Sequence, residues 1–238
     1  MKFLHVTDLH ARRSWFDWVA EHADEHDLVI MTGDLLDMFS GEGVGTQVRW
    51  ITAWARSLPR KIIWCPGNHD VEQAEPPVSY GRWMTALPGA KEFSVSGHRE
   101  LLGFTFVRVG WRQSIPALRG GDIILAHAPP AGSFPATTKI GGVDNGDIDL
   151  ADAIRSAAAS PWLVFSGHVH APNKWVDRIG RGTFALSCIG VAPVDQQCYF
   201  PKVSVLGRRK RRVFFGHFLD RLKEPVVAKR NFSPQQLL

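Results

Sequence analysis

Cysteine is scarce in this chain: Cys65, Cys188 and Cys198 are the three in 238 residues. The number is odd and none is spaced as CxxC, which excludes a disulfide framework and a thiolate zinc knuckle. Three partly buried apolar thiols in a reducing compartment are the reading that remains. Long apolar runs are missing as well. None approaches the ~18 residues of a membrane-crossing helix. The start, Met1-Lys2-Phe3-Leu4-His5-Val6-Thr7-Asp8, turns polar too soon for a secretory leader. A cytoplasmic protein with no membrane partner is therefore expected. Internal repeats and low-complexity linkers are also missing, and the length suits a single domain over 1–238. The 45% hydrophobic and 21% charged content excludes a disordered chain. Charge of one sign is only mildly in excess, 28 Lys+Arg against 23 Asp+Glu, which suits an anionic substrate or partner.

What is abundant is histidine, ten residues, and its placement is not random. Five short apolar runs, at 3–7, 28–32, 61–65, 123–126 and 162–166, each end in metal-competent residues. The endings are Asp8-Leu9-His10, Gly33-Asp34, Gly67-Asn68-His69-Asp70, His127 and Gly167-His168-Val169-His170. Runs this short and continuous predict strands buried on both faces. Their polar endings would gather at the carboxyl edge of a sheet, where open α/β folds build their sites. Helices are predicted between them, capped by Ser14 and Thr46, with a third beginning at Asp149 and ending before Pro161. A further strand is expected at 104–109. Beyond His170 the pattern changes to short strands at 175–178, 183–187, 202–206 and 211–215, joined by tight turns. The architecture expected is α/β early and antiparallel late. Two loops of functional size remain, 71–80 with Pro76-Pro77, and 129–146.

Asp8, His10, Asp34, Asn68, His127, His168 and His170 offer carboxylate, amide and imidazole donors and no thiolate. Such oxygen and nitrogen sets suit Mn²⁺, Fe or Zn²⁺. Seven donors are too many for one tetrahedral ion and fit two ions sharing a carboxylate. In Asp8-Leu9-His10 and His168-Val169-His170 the donors are two apart, so an extended segment turns both to one side. Gly33, Gly67 and Gly167 each precede a donor at a strand terminus, where a missing Cβ permits close approach.

In this order and with these strand contexts, the DxH, GD, GNHD, H and GHxH series resembles the calcineurin-like metallophosphoesterase superfamily. The resemblance spans 8–170, with 171–215 as closing strands and 216–238 as a tail. It implies a four-layer α/β/β/α sandwich of two mixed sheets flanked by helices. It implies that Asp8, His10 and His170 bind one metal, that Asn68, His127 and His168 bind the other, and that Asp34 bridges both with a hydroxide. It places His69 beside the scissile phosphate as proton donor, with Asp70 orienting it. Two divalent or mixed-valence ions with these ligands leave the core at about +1, which favours a phosphate ester, diester or monoester, attacked by the metal-bridged hydroxide. Departures narrow the branch. His127-Ala128-Pro129-Pro130 lacks the HGD of lipid-A pyrophosphatases, and GNHD and Gly33-Asp34-Leu35-Leu36-Asp37-Met38 differ from the serine/threonine protein phosphatases. The motif style is similar to class III cyclic-nucleotide phosphodiesterases, which implies a small or nucleotide-like substrate. The basic run Arg208-Arg209-Lys210-Arg211-Arg212 accounts for the whole charge excess and reads as a solvated hairpin tip. A nuclease using that run on nucleic acid is one alternative. A non-catalytic scaffold is another, and the complete donor set speaks against it. Asp37 is either a local cap or a neighbour of the site.

Overall fold

The computed structural model describes residues 2–58, 62–71, 80–89 and 97–187 in full, and 202–206 and 212–215 as backbone strands. Cys188, Cys198, Pro76-Pro77, the basic residues 208–211, His217 and the tail lie outside the described residues.

Five strands form the first sheet: β1 (Lys2–Val6), β2 (Leu28–Met31), β3 (Ile62–Trp64), β10 (Lys202–Leu206) and β11 (Arg212–Phe215). Their order is β11-β10-β1-β2-β3. β1, β2 and β3 are parallel, with Val6 beside Met31 and Met31 beside Trp64. β10 runs antiparallel to both β1 and β11. Six strands form the second sheet: β4 (His98–Leu101), β5 (Phe104–Val109), β6 (Ile123–Ala126), β7 (Leu163–Ser166), β8 (Val176–Ile179) and β9 (Thr183–Ser187). Their order is β4-β5-β6-β7-β9-β8. β5, β6, β7 and β9 are parallel, while β4 and β8 pair antiparallel at the two edges. The late strands therefore do not form one antiparallel block. They divide between the sheets, and β9 lies parallel to β7.

The layers follow from which face each side chain takes. Phe3, Leu28, Ile30 and Ile63 of the first sheet pack against Phe104, Phe106, Ile123, Leu125, Leu163 and Phe165 of the second. Alternate residues of the first sheet, Leu4, Val6, Val29, Met31 and Trp64, point the other way. They are covered by α1 (Arg13–Ala23) and α2 (Val44–Ser57) through Trp15, Phe16, Val19, Ile51 and Ala55. On the outer face of the second sheet, Val107, Ile124 and Val164 meet Leu150 and Ile154 of α3 (Ile148–Ser156). This is the helix–sheet–sheet–helix sandwich. Strands covered on both sides need no polar alternation, which is why the runs are continuously apolar. No described helix is long and apolar enough to cross a membrane.

Candidate metal centre

Five strands, β1, β2, β3, β6 and β7, end at one place, and their carboxyl-end loops are laced together. Asp8 N–H donates to Gly33 O (2.9 Å), His10 N–H to Asp34 O (2.9 Å) and Gly167 N–H to His127 O (2.8 Å). Such close stacking of loops leaves no room for side-chain carbon at the glycines. A Cβ on Gly33 would lie 2.6 Å from Gly67 N, and its φ is +92°. A Cβ on Gly167 would overlap Thr7 Oγ1 and Asp8 Oδ2. Four donor residues that do carry a Cβ, Asp8, His10, Asp34 and His168, have φ between 42° and 67°. Left-handed backbone at non-glycine positions is costly and is held by the lacing around it.

All seven donors predicted from the sequence meet here. Donor atoms of Asp8, His10 and His170 lie within 4.8 Å of one another, as do those of Asp8, Asp34 and His127. Asp34 Oδ2 stands 3.9 Å from His10 Nε2 and 3.3 Å from His127 Nε2. His170 Nε2 is 3.4 Å from Asp8 Oδ1. Asn68 Oδ1 lies 2.9 Å from His127 Nε2 and 3.0 Å from His168 Nδ1, which joins the third strand of one sheet to two strands of the other. His127 Nδ1 donates to Thr32 O (2.7 Å), which fixes the ring with Nε2 turned into the cluster. Both ring nitrogens of His10 are buried without a hydrogen-bond partner. That orphaned imidazole, beside two buried carboxylates and further imidazoles, is the donor chemistry that divalent transition ions take.

The charges respond to this crowding. Burial lowers the His127 pKa, but the Asp34 and Asp8 carboxylates and the Thr32 carbonyl together outweigh it and carry the ring up to about 9. Burial, then the nearby His127, pulls His168 down to about 4. Asp34 and Asp8 are both held below the ordinary carboxylate range, because the surrounding imidazoles outweigh their burial. Burial and then the Asp34 carboxylate push Asp70 up to about 6.

His69 and Asp70 are placed differently from expectation relative to each other. His69 backs onto His10, with ring centroids 4.5 Å apart, and its backbone N–H donates to Asp34 Oδ1 (2.7 Å). Its ring also falls within 4.8 Å of donor atoms of His10 and Asp34. The Asp70 carboxylate does not bond the His69 ring. It accepts backbone N–H groups from Gly67, Asp34, Leu35 and Leu36, at 2.9 to 3.1 Å. Asp70 therefore shapes the two loops that carry Asp34 and Asn68. Asp37 is a local cap, its Oδ1 accepting from Phe39 N–H (3.0 Å).

Two aromatic neighbours were not anticipated. Trp111 sits 4.8 Å from His168 and 5.8 Å from His127 between ring centroids, and its backbone N–H donates to Pro66 O (3.1 Å). Phe39 sits 5.4 Å from His69. A signal for Trp111 existed: β5 is another strand followed by a glycine, Gly110, immediately before it. The Thr32 carbonyl, as backbone, left no mark in residue types.

A family model described as calcineurin-like phosphoesterase matches residues 1–182. No curated protein matches the chain. Among solved structures, a dimetal phosphatase from Danio rerio is similar at 13% identity and TM-score 0.59, covering 85% of this chain and 92% of that one. A Thermus thermophilus protein aligns at 13% identity and TM-score 0.58, over 90% and 97% of the two chains. An archaeal phosphodiesterase aligns at 14% identity and TM-score 0.50, over 90% and 98%.

Proposed function

Because the chain belongs to the calcineurin-like phosphoesterase family, we propose that it hydrolyses a phosphodiester, in preference to a phosphoprotein, on a small or nucleotide-like substrate. The observation that carries the reading is the convergence of carboxylate and imidazole donors from both sheets within 4.8 Å. In this reading Asp8, His10 and His170 hold one ion, Asn68, His127 and His168 hold a second, and Asp34 faces both. Bound there, two Mn²⁺, Fe or Zn²⁺ ions would polarise the phosphoryl oxygens and lower the pKa of bound water.

The protein's own groups do the rest. Thr32 O holds the imidazole of His127 through Nδ1, which leaves Nε2 to face the ion. Asp70 holds the backbone beneath Asp34 by four N–H groups. His69 gives its ring proton to the leaving oxygen as the P–O bond breaks, so the alcohol departs neutral. Its position against His10 and within 4.8 Å of the Asp34 carboxylate supports that role.

Metal analysis combined with hydrolysis of bis-p-nitrophenyl phosphate and its monoester, with and without Mn²⁺, tests the proposal. Bound metal, and turnover of the diester above the monoester, are expected. No metal and no turnover on either after reconstitution would falsify it. A His69→Ala variant is expected to keep its metals and lose roughly 10²-fold or more in kcat. Full activity in that variant would remove His69 from the mechanism.

A further inference from the structure

Beside the histidines of the centre, the ring of Phe39 stands uncovered. Phe39 is 79% exposed, and its ring is edge-on to His69, with centroids 5.4 Å apart and planes at 82°. A single exposed phenylalanine is ordinary on a protein surface. This one is carried by a turn fastened at both ends. Gln47, fully buried in α2, accepts from Asp37 N–H (2.8 Å) and donates to the carbonyls of Asp37 (2.9 Å) and Glu42 (2.6 Å). Asp37 Oδ1 accepts from Phe39 N–H, and Ser40 N–H returns to Asp37 O (3.2 Å). The Glu42 carboxylate accepts from Arg13 Nη2 (2.8 Å) and Trp50 Nε1 (3.1 Å). The backbone entropy of 37–42 is thus already lost on folding, and ligand contact with the ring carries little further ordering cost.

Trp111 makes the contrast. Its ring is engaged with His168 and His127 and not with His69. Phe39 flanks the histidine that faces the leaving oxygen, and most of its surface is open. Metals and imidazoles treat every phosphate alike, so preference among esters has to come from groups beyond the phosphate. A flat apolar ring prefers another flat ring, by offset stacking or edge contact.

We propose that Phe39 is a specificity-determining residue that packs against a planar ring, of the nucleobase kind, carried by the leaving alcohol. The proposal rests on the phosphoesterase reading above and adds the identity of the group next to His69. It is tested with matched probes: a dinucleoside monophosphate, and the same diester with methoxy groups replacing both bases. The leaving alcohols are then alike and only the rings differ. Wild-type protein with Mn²⁺ is expected to favour the base-bearing diester about tenfold in kcat/KM, the scale of one base stacked on an aromatic ring. Phe39→Ala should bring that ratio close to one, Phe39→Trp should keep it, and Phe39→Leu should fall between.

A second readout, calorimetric binding of a nucleoside 5′-monophosphate and of its base-free counterpart, is independent of turnover. Absence of turnover on both diesters with the binding preference intact defeats the phosphoesterase reading and leaves the ring contact standing. Equal binding of the two monophosphates, binding of neither, or a Phe39→Ala variant that weakens both compounds with their ratio unchanged, overturns the proposal.

Discussion

The Asp70 carboxylate has no exposed surface and four backbone N–H groups around it. Each oxygen serves two of them: Oδ1 takes Leu35 and Leu36, and Oδ2 takes Asp34 and Gly67. An amide at this position would turn an NH₂ group toward one of those pairs and leave two buried donors facing a third. Leaving a buried donor unsatisfied costs about 1–3 kcal/mol. Asp70→Asn is therefore expected to lose roughly 3 kcal/mol of stability, read as a lower urea midpoint in EDTA, and to bind Mn²⁺ more weakly because Asp34 and Asn68 shift. A wild-type midpoint would contradict that account. His5 makes a different kind of demand. It is fully buried against Phe165 and Thr32, and burial lowers its pKa to about 3, with the Asp8 carboxylate pulling weakly the other way. In the unfolded chain the ring takes a proton near pH 6.5. Above that pH both states are neutral and the stability is complete. As pH falls from 6.5 toward 3 only the unfolded state gains the proton, so stability drains by up to ~1.4 kcal/mol per pH unit. His5→Gln offers Thr32 Oγ1 a partner without titrating. In EDTA its urea midpoint should fall less between about pH 6.5 and 5 than the wild-type midpoint does. Parallel falls in the two proteins would remove His5 as the cause.

Strands were the elements most legible from sequence, for a physical reason. The runs at 104–109, 123–126 and 183–187 coincide with β5, β6 and β9 because most of their residues are apolar and buried, with β6 apolar throughout. β4, with His98, Arg99 and Glu100 in four residues, lacks that signal and went unread. Helix starts were less legible. α1 and α2 begin at Arg13 and Val44, ahead of Ser14 and Thr46, and neither receives a side-chain cap. α1 instead opens on a backbone turn, in which Arg12 N–H donates to Leu9 O. α3 begins at Ile148, one residue ahead of Asp149, and is capped by Asp147, with Leu150 N–H donating to its carboxylate (2.9 Å). The 129–146 stretch looked like an open loop but is stitched by bridges between Pro130 and Asp147, Thr137 and Asp144, and Thr138 and Pro172. Local composition does not carry such pairings, because the partners are distant in sequence. The same limit applies at the metal centre. Residue type and strand-end position sufficed to collect seven donors, since imidazoles and carboxylates are rare at the ends of apolar strands. Trp111 and Phe39 were less legible because an aromatic residue type is shared with the core and does not by itself mark a site.

At the scale of the whole molecule, the donors are divided between two sheets that otherwise meet through apolar side chains. Asp8, His10, Asp34 and Asn68 follow strands of the first sheet, and His127, His168 and His170 follow strands of the second. Hydrogen bonds already cross this seam, from His168 N–H to the Asp8 carboxylate (3.1 Å) and from His127 to Asn68. Buried carboxylates and imidazoles packed this closely are expensive unless a positive charge organises them. An ion that binds the folded arrangement and not the unfolded chain adds RT ln(1 + [L]/Kd), ~2.7 kcal/mol at a hundredfold excess over Kd. For a chain of this size about 1 kcal/mol raises the melting temperature by ~2–4 °C. Saturating Mn²⁺ should then raise the midpoint by about 5–10 °C for one site and about twice that for two, relative to EDTA. The variants separate the causes. Asp34→Asn, altered at the carboxylate that faces both His10 and His127, should lose most of the Mn²⁺-induced rise. His69→Ala should keep it, because that ring is assigned to the leaving oxygen and not to the metals. Equal midpoints in EDTA and Mn²⁺ for the wild-type protein would mean that the seam is held by its apolar packing alone and that the seven donors do not act as a metal clamp between the sheets.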